Sequence, residues 1–511
     1  MKYRHVAEAG CCALIAVALL PACTVGPDFV RPTPKTPANW STRAINPPIS
    51  SEPKQTSPPG AAQPQRAGIV TEQAAELSAW WRAFADPKLD SLIVRAVQSN
   101  LDLRAAVLRI DEARAQRAVA EAALWPTLSL DAAYTRQRFS ETTPTGALFN
   151  SVGNIHFPGG ASISIPNPYN QYQLSADASW EIDLFGRIRR SVEAAAATQQ
   201  ASLEDQRAVL VSVLSDVAQN YMELRGAQEH LCVTRENLAT VDELLDLARQ
   251  RRAVGVITHI DVSNAIAQSS VTRAELPALE LQVTQSVNQL SKLLGLEPEA
   301  LRAELEAATP LPSAPPELPI GLPADLARRR PDIREAEANL HSATAQVGVA
   351  VGDLFPRLTL AASGGFQSET PGNLLSWASR FGSIGPSFDL PIFDRGRWKS
   401  VHLYDVRAQE AALAYQRTVL GALHEVENAL AAYGTDQQRR TLLDATVAEN
   451  RDALTLTRER YESGVISFIE VLDSERTLQQ NQLSLADSTT AIATDLVRLY
   501  RALGGGWEQP T

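Results

Sequence analysis

The chain repeats itself, and the repeat carries strands and helices together. LWPTLSL at residues 124–130 returns as LFPRLTL at 354–360, 230 positions later, and SWEIDLFGRIR at 179–189 returns as SFDLPIFDRGR at 387–397, 208 positions later. VGVITHIDV (254–262) returns as SGVISFIEV (463–471), and LLG (293–295) as ALG (502–504), both shifted by 209. Order is kept throughout, so this is a tandem duplication, and any fold for one half must also suit the other. The first copy holds 22 extra residues around 138–170, rich in Gly, Pro, Asn and Thr, which reads as a surface loop.

Each copy contains two stretches of strict alternation. Tyr172, Leu174, Ala176, Ala178, Trp180 and Ile182 fall on one face of a strand, with Gln173, Ser175, Asp177, Ser179, Glu181 and Asp183 on the other. Leu128, Leu130, Ala132 and Tyr134 oppose Thr127, Ser129, Asp131 and Thr135 in the same way. The second copy offers Leu358, Leu360, Ala362 and Phe366, then Phe388, Leu390 and Ile392. Strands are expected at about 126–137, 170–184, 357–367 and 383–393. Each is close to the ~9 to 11 residues that cross a bilayer when tilted, with the lipid-out, water-in alternation of a transmembrane barrel. A soluble antiparallel sheet is the plainer alternative.

Two hairpins supply only four strands, which cannot close, and open sheet edges are not tolerated in lipid. Several chains must pool strands. With ~8 as the usual minimum, at least two copies are required, and two, three or four remain open on this ground.

Long helices follow each hairpin. Leu203, Leu210, Val217, Leu224, Leu231, Leu238 and Leu245 recur every seven residues, the spacing of helices packed as a coiled coil. Residues 187–253 hold no proline and one glycine, Gly226, so one helix of roughly 100 Å is expected. The chain turns at Gly255, and a helix kinked near Pro277 runs back to Gly295. A proline-rich connector (301–323) leads to another helix of about 31 residues beginning at Ala324. The second copy repeats the plan with a helix at 397–462, a turn at Gly464 and a return to Leu503.

The N-terminus explains how such a chain reaches a membrane. Lys2 and Arg4 precede the apolar run Cys11–Leu20, too short to span a bilayer, which reads as a secretory signal over residues 1–22. Leu20-Pro21-Ala22-Cys23 resembles a bacterial lipobox, which implies S-diacylglycerol and N-acyl chains on Cys23; Thr24 after it favours the outer membrane. Residues 24–70 contain ten prolines, a composition suited to a strap and not to a core. Cys11 and Cys12 leave with the signal, so no internal disulfide is available, and Cys232 is expected as a small core residue. The formal charge of -11 argues against nucleic acid as a partner.

CTVGPDFVRP, WWRAFADPKLDSLI, LARRRPDIREAEANL and the two glycine tip motifs resemble the TolC-type outer membrane efflux factors, in particular the NodT-like lipoprotein branch. The resemblance spans essentially the whole mature chain. It implies a mostly α fold with transmembrane β: duplicated units giving four strands to a shared trimeric, twelve-stranded barrel, joined to a long α-helical periplasmic tunnel. The domains so expected are a signal (1–22), a lipid-anchored segment (23–76), a first repeat (77–300), a connector (301–323), a second repeat (324–505) and a tail (506–511). It also implies the partners of a passive efflux conduit for small molecules or drugs: a homotrimer, a periplasmic adaptor and an inner-membrane resistance-nodulation-division transporter.

By motif alignment, Asp261 and Tyr461 match a hydrogen-bonded pair of the periplasmic gate, and Glu470 and Asp473 match its ring carboxylates. Gly255, Val256, Gly464 and Val465 match the tips that meet the adaptor. Ile466 stands where the family places a basic residue, which removes one gate ion pair unless another residue, Arg460 for instance, replaces it. Each of these acids also suits plain dipole complementation at a helix start.

Three rival readings have less behind them. The seven histidines are scattered, and no phosphate loop, dinucleotide glycine pattern or zinc spacing occurs, so neither an enzyme nor a bound cofactor or metal is expected. A structural stalk would not require the alternating strands. A protein-exporting conduit of the same fold is disfavoured by the lipobox and RRRPDI.

Overall fold

The computed structural model describes residues 24–33, 36–40, 69–71, 77–144, 146–147, 167–312, 315 and 317–508. Cys23, the signal region and residues 148–166 of the long loop lie outside the described residues. In chain order the elements are β1 (Ile69–Thr71), α1 (Pro87–Ser99), α2 (Leu101–Ala122), β2 (Thr127–Gln137), β3 (Tyr169–Ile182), α3 (Arg187–Ala253) and α4 (His259–Leu293). The short α5 (Arg302–Leu305), β4 (Glu317–Pro319), α6 (Pro323–Arg329) and α7 (Pro331–Gly352) follow. The chain then completes β5 (Arg357–Ser368), β6 (Arg380–Asp389), α8 (Arg395–Glu462) and α9 (Phe468–Ala502). Among the described residues, no helix is long and apolar enough to cross a membrane.

The chain forms two units, one of residues 1–30, 113–199 and 339–411, the other of residues 31–112, 200–338 and 412–511. The first holds an antiparallel sheet of order β2-β3-β5-β6. Its register keeps the alternation coherent across all four strands. Leu130 faces Ala176, Ala176 faces Gly364 and Gly364 faces Gly382; Trp180 faces Leu360, which faces Pro386. Most apolar residues therefore share one side and Ser, Thr, Asp and Gln the other, since opposite residues in an antiparallel pair point the same way; Tyr169 and Phe381, near one end of the sheet, fall on the polar side, and Arg380 on the apolar one. On the polar side Glu181 is held by Arg187 (2.9 Å), while Asp131 and Asp177 are held by Ser129 and Ser175. The fourth strand begins at Arg380, earlier than the alternation indicates, and ends at Asp389. Leu390 and Ile392 thus lie beyond it, both exposed, because Pro391 has no N–H to continue a ladder. Pro386 is accommodated because β6 is an edge strand.

Residues 24–30 lie along the helices of this first unit. Val25 donates its N–H to the Phe185 carbonyl (3.1 Å), and Arg190 donates to Val25 O (3.2 Å) and to Asp28 (2.5 Å). Phe29 stacks on His341 with ring centroids 4.4 Å apart, and His341 meets Glu193 at 2.9 Å. Gly26, at φ +92°, approaches so closely that a Cβ there would stand 2.5 Å from the Gly348 Cα. The proline-rich strap is thus specifically seated in the segment right after Cys23.

The second unit is built on a core from α1, α3, α4, α8 and α9, including Trp80, Leu92, Tyr221, Met222, Leu290, Tyr433, Leu496 and Tyr500. Trp80 stacks on Tyr500 at 5.0 Å, and Tyr221 Oη donates to Asp86, the N-cap of α1 (2.6 Å). A short parallel pair, β1 with β4, joins the strap region to the connector; the polar, proline-rich composition of both segments hid it.

The structure overturns two further expectations. The helix starting near Ala324 is two helices, α6 and α7, because Pro331 pushes Arg330 into an extended conformation (φ −65°, ψ 126°). Its counterpart in the first repeat, Asn100, breaks α1 from α2 in nearly the same conformation (φ −59°, ψ 129°). Cys232 is exposed and not a core residue, since the buried face of α3 at this level runs through Gln228, Thr234, Asn237 and Val241. The leucines of the seven-residue repeat are only partly covered: Val217, Leu224 and Leu245 are buried, but Leu203, Leu210, Leu231 and Leu238 are half-buried.

Candidate gate at the helix tips

Each long helix ends in a glycine that must be left-handed. Gly255 has φ +78° and Gly464 φ +75°. Around them the same pair of bonds closes the helix end: Gly255 N to Arg252 O and Val256 N to Arg251 O, then Gly464 N to Tyr461 O and Val465 N to Arg460 O, all 2.9 to 3.0 Å. The return helices begin with capping boxes. Thr258 N and Oγ1 both donate to Asp261 Oδ2 (2.9 and 2.7 Å), and Ser467 N and Oγ both donate to Glu470 Oε1 (3.2 and 3.0 Å).

Beneath the turns, both hairpins share one apolar core. Leu244, Leu245 and Ala248 of α3, Ala265 of α4, Val447, Leu454 and Tyr461 of α8, and Phe468, Val471 and Leu472 of α9 pack together. Ile466 packs against this core, as does Ile257, its counterpart in the first repeat. A basic side chain is missing there because the position is used for packing in both halves. Val254, Val256 and Val465 point outward and are more than 60% exposed, leaving the tips apolar.

The site residues expected from sequence are therefore brought to one end of one unit, but not into the expected pairs. Asp261 and Glu470 each serve the first turn of their own helix. Asp473 is exposed, one turn further along α9. Tyr461 is buried, and its hydroxyl has no hydrogen-bond partner, so the anticipated bond to Asp261 is not made. What meets Tyr461 instead is Arg251, four residues before the first tip glycine, which motif alignment passed over. Its guanidinium lies over the Tyr461 ring at 4.3 Å, and its Nη1 donates to the Tyr461 carbonyl (3.2 Å). Further down, Gln268 of α4 accepts from Arg476 of α9 (2.6 Å) and donates to Gln479 (3.3 Å). Burial pushes the carboxyl of Glu475 up, with Arg458 at 3.4 Å opposing it. The only sequence hint of these ties was polarity within an otherwise apolar helix face.

The outer membrane efflux protein family model matches residues 92–296 and 322–505. The chain belongs to the outer membrane efflux protein family. This efflux protein is 32% identical over 509 residues to outer membrane protein OprJ of Pseudomonas aeruginosa, covering 98% of this chain and 96% of that one. It is 29% identical over 504 residues to nodulation protein T of Rhizobium leguminosarum bv. trifolii, covering 96% of each. Among solved structures, that of the outer-membrane channel OprN matches with a TM-score of 0.81 and 32% identity, over 96% of this chain and all of that one. The efflux protein is accordingly an outer membrane channel of the TolC type, mostly helical, with duplicated units that contribute four strands to the transmembrane barrel. Members of this family are transporters and not enzymes.

Proposed function

We propose that this efflux protein is the lipid-anchored exit duct of a tripartite resistance-nodulation-division system, passing small molecules or drugs from the periplasm to the exterior. The observation that carries the assembly is the strand order. β2 and β6 are the edges of a four-stranded sheet, and neither has a partner on its outer side among the described residues. Edges in lipid must be closed, and three copies supply the twelve strands of the family's barrel. α2 runs into β2 and α8 runs out of β6; both carry exposed apolar residues, Leu101, Leu108 and Val119 on one, Leu413 and Leu420 on the other. A neighbouring copy would cover these faces together with the edges.

In this reading Cys23 carries the acyl chains and no other cofactor is needed. A periplasmic adaptor seats on the apolar tips at Gly255, Val256, Gly464 and Val465, and an inner-membrane transporter delivers the cargo. Asp261, Tyr461, Glu470 and Asp473 belong to the periplasmic gate. Copies of Glu470 and Asp473 converging on a symmetry axis repel one another, so protonation or a bound cation favours closure.

Photocrosslinkers at Val256 and Val465 test the docking. Capture of a periplasmic adaptor, with its transporter copurifying, is expected. Capture of a protein-exporting secretion pump would reassign the cargo, and no cross-link at either tip would remove the tripartite reading. Mass spectrometry of the N-terminal peptide is expected to show a triacylated Cys23.

A further inference from the structure

We propose that Arg251 is the residue that holds the two hairpins of each subunit together at the closed tip, in place of an ion pair at Ile466 and of a hydroxyl bond from Tyr461. The inference rests on the gate reading above and adds its positioning residue.

The placement of Arg251, its geometry and the repeat carry it. Arg251 and Tyr461 sit in the last turns of α3 and α8, one on each hairpin, so a contact between them spans the joint that has to shear if the hairpins separate. The contact has two parts, a cation over the ring at 4.3 Å and a donated bond to the Tyr461 carbonyl at 3.2 Å. That carbonyl also accepts from Gly464 N in the turn that closes α8, so Arg251 binds to the backbone of the second tip itself. Meanwhile neither of the two groups expected to do this work makes the bond. Asp261 Oδ2 is taken by Thr258, and the Tyr461 hydroxyl is buried without a partner. The repeat shows that the contact is specific: position 460 matches Arg251, and position 252 matches Tyr461 but is an arginine, so the ring occurs on one hairpin only. A guanidinium suits this place because its planar fork lies flat on the ring while an edge N–H donates to the carbonyl, a fixed geometry that an ammonium matches less well.

Separating the two hairpins breaks both parts of the contact, so Arg251 biases the equilibrium toward the joined state. Single-channel recording of the full-length protein in planar bilayers tests this. Arg251→Gln is expected to raise basal open probability about five-fold, as losing one cation–π contact would. Tyr461→Ala is expected to do the same, and the double variant to add little to either, because both remove one contact. Tyr461→Phe, which keeps the ring and the carbonyl, should open less than Tyr461→Ala. Arg251→Lys, which keeps the charge and a donor, should recover part of the closure. Melting of the oligomer in detergent, followed in parallel, separates gating from loss of fold. Arg251→Gln matching the parent protein, or Tyr461→Phe opening as much as Tyr461→Ala, would overturn the proposal. A Glu470→Ala/Asp473→Ala variant distinguishes the two levels. If it alters conductance while Arg251→Gln does not, only the Arg251 assignment falls; if neither does, the gate reading falls with it.

Discussion

Asn100 stands at the break between the first two helices of the first repeat, and Arg330 stands at the equivalent break of the second. Asn100 Nδ2 donates to Leu293 O (2.8 Å), and Arg330 Nη1 donates to Ala502 O (2.7 Å), at positions that the duplication also makes equivalent. The backbone solution is the same: an extended residue whose side chain reaches across to the end of the return helix. The chemistry has diverged. The neutral amide also caps its own helix through Leu103 N (2.9 Å). The guanidinium, itself buried, also binds both oxygens of Asp332 and one of Glu425, whose side chains reach it from the more exposed side. Duplication thus preserves where a tie is needed and leaves open how strong it is. The same holds at the tips, where capping boxes and glycine turns match but only one hairpin offers an aromatic ring to a cation.

The largest expected difference between the halves lies at these breaks. Arg330→Ala removes a buried guanidinium together with its bonds to the Ala502 carbonyl and to Asp332 and Glu425 and is expected to cost about 2 kcal/mol, whereas Asn100→Ala loses one cap and one bond, about 1 kcal/mol. Thermal unfolding of the two variants checks this, and equal losses would mean that the charge at position 330 adds nothing.

Next in size is a pH effect confined to the second half. Burial, and then the carboxyl of Asp436 within hydrogen-bonding reach, push Asp495 up to about 6, while Arg498 opposes the shift. The counterparts in the first repeat are Ser286 and Ala227, which do not titrate. The folded chain therefore holds a proton that the unfolded chain releases near the ordinary carboxylate value of 3.8. Stability contributed here is present in acid and is lost as pH rises through about 6. Melting temperature between about pH 5 and about pH 7.5 should fall less steeply in Asp495→Asn than in the parent protein; identical slopes would remove the pair from the account.

At the turns the halves should behave alike. No atom lies within 4 Å of a Cβ placed on Gly255 or Gly464, so substitution meets only the backbone penalty. Gly255→Ala and Gly464→Ala are each expected to cost about 1 kcal/mol, and unequal values would show that one turn is strained and the other is not. The smallest effect is at the caps. Thr258→Ala and Ser467→Ala should each lower stability by about 0.5 to 1 kcal/mol, measured by the same unfolding assay.

Much of this architecture can be read directly from residue order. Alternation in Tyr172–Ile182 and in Leu128–Tyr134 identifies both the strands and the faces that the register then aligns. The proline-free run from 187 to 253 coincides with α3. Breaks and side-chain partners are harder, because they depend on residues distant in sequence. Asn100 has nothing helix-breaking beside it, and its extended conformation makes sense only once Leu293 O lies opposite. Cys232 lies between two apolar neighbours, Leu231 and Val233, which marks a helix without saying which of its faces is covered. Asp261 shows the limit of motif transfer: the residue matches the gate pattern, while its carboxylate is engaged by Thr258 three residues before it. Arg251 carried no motif at all and became visible only through its distance to Tyr461.

The central claim is that the open edges β2 and β6 are closed by other copies of the same chain within the outer membrane. The mass of the detergent-solubilised protein, measured by native mass spectrometry, tests it most directly. Three chains per particle, each bearing acyl groups at its N-terminus, is the expected result. A particle of one chain, stable and monodisperse with its sheet edges unpaired, would contradict it.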